Sequence, residues 1–150
     1  MSDAPYRYPF QVRLHDTDAA GVLFFGHLFR HVHDAYESLM ADLGFPLHEL
    51  IRNGAAPGAA ALPVTHAEAS YRRPIHQGDR IEVLVTVADV RRRSFALDYS
   101  FNDREGHTRA TARTVHVLTG ADTGLVLPED LRRALTGHED ATDGSPTPSD

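Results

Sequence analysis

An α+β fold, with an antiparallel sheet of about five strands wrapped around one long central helix, is predicted by three features of this sequence. The first is a long amphipathic segment in which Leu28, Val32, Ala35, Tyr36, Leu39 and Leu43 recur at three-and-four spacing. The second is a set of period-two stretches later in the chain. The clearest has Phe95, Leu97, Tyr99 and Phe101 alternating with Ala96, Asp98, Ser100 and Asn102. The third is the shortness of the turns between those stretches, which an antiparallel meander connects most simply. The helix stripe and the sheet face each need an apolar cover, and each supplies it to the other.

Taken in order, Tyr6 to Arg13 alternates aromatic or aliphatic residues with polar ones and reads as a first strand. A polar turn follows with Asp16, Asp18, Ala19, Ala20 and Gly21. The helix then occupies about His27 to Leu43, stopped by Gly44 and sealed by Pro46; at ~1.5 Å per residue it is roughly 25 Å long. Leu47 to Asn53 is expected to form a short helical turn, and Asn53 to Ala61 a loop of small residues. From Leu62 the period becomes two, with Ala67, Ala69 and Tyr71 opposed to Glu68, Ser70 and Arg72, until Pro74 interrupts. Gln77-Gly78-Asp79 predicts a turn. Ile81, Val83, Val85 and Val87 mark the next strand, Phe95 to Phe101 the one after, and Asn102 to Gly106 a hairpin loop. Thr108 to Leu118 returns as a strand with Val115 and Val117 on one face. Pro128 opens a last short helix through Leu135. Gly137 to Asp150 is polar and carries Pro146 and Pro148, which predicts a disordered tail, 137–150, after a single domain, 1–136.

A chain of 150 residues is long enough to bury a core of its own. Hydrophobic residues make up 41% of it, and no apolar run approaches the ~20 residues of a membrane span. The start, MSDAPYRYPF, has no charged stretch followed by an apolar one, so a cytoplasmic location is expected. The lack of cysteine excludes disulfides, thiolate metal sites and a Cys nucleophile. With 15 basic against 21 acidic residues, a general nucleic-acid surface is not expected.

The turn before the helix holds the most chemistry. It sets carboxylates beside a helix N-terminus, where backbone N–H groups are unpaired and the dipole is positive. Asp16 and Asp18 are equally the residues that turns use to bond their own backbone, and spacing alone leaves both readings open. His27 and His31 share a helix face at i, i+4 spacing, as two metal ligands would, but there is no HExxH pattern and no third ligand nearby in sequence. No metal site is predicted. Arg91, Arg92, Arg93 and Ser94 fall in a tight turn between two strands, where crowded guanidinium groups suit either an anion or simple solvation. Arg72 and Arg73 are weaker candidates of the same kind.

The segments DTDAAGVLFF, YRRPIHQGDRIEV and VRRRSF resemble the hotdog-fold acyl-CoA thioesterases of the 4-hydroxybenzoyl-CoA thioesterase class, from about Tyr8 to Leu135. Within that class, HDTDAAGVLFFGHLF, HDAYE and LPVTHAEASYRRPIHQGD are most similar to the 1,4-dihydroxy-2-naphthoyl-CoA thioesterases of quinone biosynthesis. The resemblance implies a hydrolase that splits an aromatic acyl-CoA into acid and coenzyme A, in menaquinone or phylloquinone formation. It aligns Asp18 with the catalytic carboxylate and the Phe25 N–H, beside Gly26, with the oxyanion donor. It brings Gly21, Phe24 and His27 to the substrate, and Arg91, Arg92, Arg93 and Ser94 to the coenzyme A phosphates. Asp16 is left as a structural or orienting residue, and Glu37, off the apolar stripe, as a rival carboxylate of a related class. This chain departs from its relatives at Phe25, where some carry His, and at His27, where the naphthoyl group tends to carry Asn.

No cofactor is implied, because coenzyme A belongs to the substrate and product. The expected partner is the acyl-CoA, with no nucleic acid and no membrane, and the expected assembly is a homodimer or homotetramer with sites at the dimer interface. Three alternatives stand beside this reading. They are a hydrolase of benzoyl-type or short-chain acyl-CoA, a non-catalytic acyl-CoA-binding module, and a hydratase, whose Asp and His motif is not found.

Overall fold

A computed structural model describes residues 5–50, 61–120 and 126–143. The sheet has five strands: β1 (Tyr6–Gln11), β2 (Val64–Tyr71), β3 (Arg80–Val90), β4 (Ser94–Asn102) and β5 (Thr108–Val117). All neighbours are antiparallel, in the order β1-β3-β4-β5-β2. The helices are α1 (Phe25–Asp42), the single turn α2 (Leu47–Leu50) and α3 (Glu129–Asp143). The predicted class and strand number are therefore those observed, with a short 3-10 turn at Leu14–Asp16 added between β1 and α1. Of the small-residue loop read at Asn53 to Ala61, all but Ala61 lies outside the described residues.

Helix α1 lies against the sheet because its stripe and the inner sheet rows are complementary. Leu28, Val32, Ala35, Tyr36, Leu39 and Met40 are buried against Val83, Val85, Leu97, Tyr99 and Phe101. Register lines up Tyr8, Val83, Phe101 and Ala110 in one row across four strands, and Tyr6, Val85, Tyr99 and Ala112 in the next. The Tyr6 hydroxyl hydrogen-bonds Ser38 on the helix, fixing α1 along β1. At its far end α1 stops as predicted. Gly44 has φ 93°, its N–H bonds Ala41 O, and the Phe45 N–H reaches Met40 O at 2.8 Å, the paired bonds of a glycine-terminated helix.

One sequence expectation gains detail and one changes. Val115 and Val117 do share a face, but it is the outer one; the inner face of β5 carries Ala110, Ala112, Thr114 and His116, all buried. The last helix does not end at Leu135 but runs to Asp143, into the segment read as a disordered tail. Leu127, Leu131 and Leu135 anchor its start in the core. Once nucleated, a helix propagates through polar residues until something breaks it, and no proline intervenes before Pro146. Residues 144–150 lie outside the described residues. No helix among the described residues is long and apolar enough to cross a membrane.

Strand β2 differs from the others. Apart from Ala69, every residue in it is exposed, on both faces, and its outer edge has no neighbour among the described residues. Val64 and Tyr71 are 40% and 44% exposed, unusual for large apolar side chains on the inner side of a sheet.

Candidate active site

Between β1 and α1 the chain makes a loop held at several points. Thr17 pairs with Leu23, and Val22 with His76; the Leu23 N–H donates to Ile75 O at 2.7 Å. Asp16 is the internal anchor. It is 1% exposed, and its carboxylate accepts the Arg13 N–H, the Arg30 guanidinium at 2.5 Å and His31 Nε2 at 3.0 Å, while its carbonyl accepts the Phe24 N–H. Burial alone raises the carboxyl pKa, but the Arg13 N–H, His31 and Arg30 outweigh it and hold it below the usual range. His31 also stacks on Phe10 at 3.8 Å. Asp16 thus ties the loop to the first turns of α1.

Asp18 is placed differently. It is exposed, its Oδ1 accepts the Ala20 N–H at 2.8 Å and the Val22 N–H at 3.4 Å, and its Oδ2 has no hydrogen-bond partner among the described residues. The turn is closed by the Gly21 N–H donating to Asp18 O, and Gly21 supplies the φ of 78° that closure requires. One carboxylate oxygen is therefore oriented by backbone and the other is free.

The start of α1 comes directly after. Phe24 is its cap in extended conformation, without a side-chain cap bond, and the first turn holds no acidic residue. The Phe25 and Gly26 N–H groups have no acceptor among the described residues, whereas those of His27 and Leu28 are taken by Phe24 O. A helix start so arranged keeps orphan donors and the positive dipole end for a ligand. The Phe24 ring lies over Gly26, and a Cβ there would sit 3.0 Å from that ring. His27 packs edge-on to Phe24, its Nδ1 buried and unpaired.

Other candidates fall elsewhere. The metal alternative gains no support: His31 is engaged by Asp16, and no group of three ligating side chains occurs among the described residues. Glu37 is exposed. The Arg91–Arg93 turn joins β3 to β4 with all three side chains exposed; Arg91 pairs with Asp89 at 2.8 Å. The Arg92 and Arg93 carbonyls accept the Leu127 and Leu118 N–H groups, which clamps the turn. This turn stands at the end of β3, whereas the Asp18 loop is bonded to the segment before its start. The 11 residues of β3 put up to roughly 35 Å between them at ~3.3 Å each. Arg72 and Arg73 are exposed beside the Asp18 loop, their N–H groups on Arg109 O.

A half-open pocket that sequence reading did not locate runs along α1. A cavity of about 130 Å³ is walled by Phe29 and Tyr36 of α1, Ala67 of β2, Tyr99 of β4, and Thr114 and His116 of β5. Gly21, Phe24 and His27 do not line it, and the Phe24 and Phe25 rings, 38% and 62% exposed, pack on each other at 4.5 Å. Three wall residues form a buried chain: Tyr99 OH to Thr114 Oγ1 at 2.8 Å, and Thr114 Oγ1 to His116 Nε2 at 2.8 Å. The His116 ring is stacked on Tyr36 at 4.0 Å and Phe95 at 4.9 Å. Burial, reinforced by His33, lowers its pKa to about 3 and keeps it neutral. The sequence signal was present, since Thr114 and His116 occupy the same alternation as Ala110 and Ala112.

Residues 12–135 match the thioesterase-like superfamily. The chain is 36% identical over 131 residues to the 1,4-dihydroxy-2-naphthoyl-CoA hydrolase of Synechococcus elongatus, covering 86% of this chain and 93% of that one. Among solved structures, a 1,4-dihydroxy-2-naphthoyl-CoA thioesterase from Synechocystis superposes with a TM-score of 0.78 at 32% identity, covering 87% of this chain and 95% of its own. A gentisyl-coenzyme A thioesterase superposes at 0.75 with 25% identity, covering 87% and 98%.

Proposed function

The chain belongs to the thioesterase-like superfamily, and on that premise we propose that it hydrolyses an aromatic acyl-CoA, 1,4-dihydroxy-2-naphthoyl-CoA, to the free acid and coenzyme A. The observation that carries the chemistry is the free Oδ2 of Asp18 one short turn before a helix start with two unclaimed N–H groups. The relatives named for naphthoyl-CoA hydrolysis supply the acyl group, and with it a place in quinone biosynthesis.

In the proposed reaction the thioester carbonyl oxygen faces the Phe25 and Gly26 N–H groups. Charge that develops on it is met by fixed donors and the helix dipole rather than by reorganising water. Asp18 drives the addition by one of two routes. It either attacks the carbonyl carbon, giving a mixed anhydride that water then cleaves, or removes a proton from the attacking water. In both, the C–S bond breaks, the sulfur leaves as thiolate and takes up a proton, and water supplies the new oxygen of the acid. Asp16 holds the loop to the helix while this occurs.

The separation of the Arg turn from the Asp18 loop supports a reading in which a second copy of the chain holds the nucleotide end. The Val64 end of β2 lies by the Arg turn, since Leu118, just past β5, bonds Arg93 O and Ala61 pairs with Thr119. The Tyr71 end lies by the Asp18 loop, through Arg72, Ile75 and His76. Antiparallel pairing of two β2 edges brings the partner's Arg turn toward the first chain's Asp18 loop. It also covers the exposed strand. The reading is thus a homodimer, alone or within a homotetramer, in which Arg91, Arg92, Arg93 and Ser94 of one chain hold the phosphates of coenzyme A bound at the other.

Steady-state hydrolysis of naphthoyl, benzoyl and palmitoyl thioesters, followed by free-thiol release, tests the assignment. Preference for the hydroxylated naphthoyl ester is the expected result. A clear preference for palmitoyl-CoA would overturn the aromatic reading.

A further inference from the structure

The pocket along α1 lies in line with the proposed reaction centre. Phe25, Phe29, Val32 and Tyr36 recur at three-and-four spacing, so the helix face that begins at Phe25 continues as the pocket wall. At ~1.5 Å per residue, Phe29 stands roughly 6 Å beyond Phe25 and Tyr36 roughly 16 Å beyond it. The sheet runs in step. From the Tyr71 end, by the Asp18 loop, the paired inner positions of β2 and β5 are Ala69 with Ala112, then Ala67 with Thr114, then Val64 with His116. The first pair is small, and the other two line the pocket.

Two properties limit what enters. The volume, about 130 Å³, is near the ~150 Å³ of an apolar cavity that binds benzene, so the pocket takes one ring. Its wall presents almost nothing but carbon. The Tyr99 and Thr114 hydroxyls are bonded to each other, Thr114 also to His116 Nε2, and His116 Nδ1 is buried. A hydroxyl or carboxylate seated there would lose its water and gain no bond in return. The space is not imposed by the fold. A larger side chain at Ala67, on the exposed strand β2 and directly across from Thr114, would fill it, and an unfilled apolar space forfeits contacts.

We infer that this pocket receives the far, unsubstituted ring of a two-ring acyl group, and that Ala67 sets this enzyme's choice of two rings over one. The ring bonded to the thioester carbonyl takes up the first turn of α1, and the fused second ring enters the pocket beyond it. The inference rests on the aryl-CoA reading above and goes beyond it by assigning where the second ring sits and which residue makes room for it. Hydroxyls on the carbonyl-bearing ring stay outside the pocket, whereas a polar group at the far end is excluded. The 1,4-dihydroxy-2-naphthoyl group meets this condition, since its hydroxyls and carbonyl share one ring.

The test measures kcat/KM of the full-length parent and of Ala67→Phe on benzoyl-, 2-naphthoyl-, 1-hydroxy-2-naphthoyl- and 6-hydroxy-2-naphthoyl-CoA. Each value is divided by the rate of the same ester in alkali, which removes its intrinsic reactivity. In the parent, 2-naphthoyl should exceed benzoyl by about tenfold or more, and the 1-hydroxy isomer should exceed the 6-hydroxy isomer by a similar factor. Ratios within about twofold of one would overturn the inference. Ala67→Phe should bring both ratios close to one, because its ring takes the place of the far ring; if all four esters decline by one factor and the ratios are kept, Ala67 is structural and the inference falls. Should the parent hydrolyse no aryl thioester, the proposed function fails, and calorimetric binding of benzoate, 2-naphthoate and 6-hydroxy-2-naphthoate decides this point separately. A preference for 2-naphthoate over both that Ala67→Phe removes upholds the pocket assignment, and its absence in the parent overturns it. If Ala67→Phe does not fold, Ala67→Leu carries the same comparisons.

Discussion

Lowering the pH should destabilise this protein through His116, and replacing that residue with phenylalanine should remove the effect. His116 is fully buried, stacked on both Tyr36 and Phe95, and its folded pKa is about 3 against an ordinary 6.5. Between those values the unfolded chain binds a proton that the folded chain refuses, so stability rises with pH across that window and falls as acid is added. One proton corresponds to ~1.4 kcal/mol per pH unit, so moving from pH 8 to pH 4.5 should cost about 2 to 3 kcal/mol. Asp16 acts with the same sign but lower down. Its folded pKa is depressed, so its contribution is present above the ordinary carboxylate value and is lost only as pH falls through the folded one. Urea denaturation at fixed protein concentration, at pH 8, 6 and 4.5, measures the slope for the parent and for His116→Phe. The variant's absolute stability is immaterial; the difference in slope is the quantity of interest. Equal slopes for the two proteins would refute the reasoning, since His116 would then not be a buried neutral group.

Asp18→Asn should reduce turnover by more than roughly a hundredfold while retaining binding and thermal stability, because the amide has the shape but neither the charge nor the basicity of the carboxylate. Asp16→Asn should affect turnover less, and near-normal hydrolysis by Asp18→Asn would remove Asp18 from the chemistry. Replacing Arg91, Arg92 and Arg93 together by Ala should raise KM for the intact acyl-CoA and flatten its salt dependence, with little change on a truncated thioester lacking the nucleotide. Equal loss on both substrates would assign the turn to folding.

The strands of the central sheet were legible because Ile81 to Val87 and Phe95 to Phe101 each keep one face apolar, and the long helix because its stripe is uninterrupted from Leu28 to Leu43. Asp18 and the helix start were legible as a motif, and the structure adds which carboxylate oxygen is free. Which face of β5 turns inward was not legible, because hydropathy draws the eye to Val115 and Val117, whereas the space beside Tyr36 and Phe95 is filled by the His116 ring. No local pattern announces a ring stack among residues from three elements. The length of α3 was hidden for a different reason. Its last turns carry no apolar stripe of their own, and their helicity follows from the leucines that anchor the start. The exposure of β2 could not be read either, since Ala67, Ala69 and Tyr71 alternate like any buried strand face.

The separation of the Asp18 loop and the Arg turn to opposite ends of β3 has a consequence for mixed populations of subunits. If each site draws its carboxylate from one chain and its guanidinium groups from the other, two individually crippled chains rescue each other. In a heterodimer of Asp18→Asn with the triple Arg-to-Ala chain, both lesions fall in one site and the other is left wholly intact. Co-expression should then recover about half the parental rate per mixed dimer at low substrate, whereas sites contained within single chains would give no recovery at all.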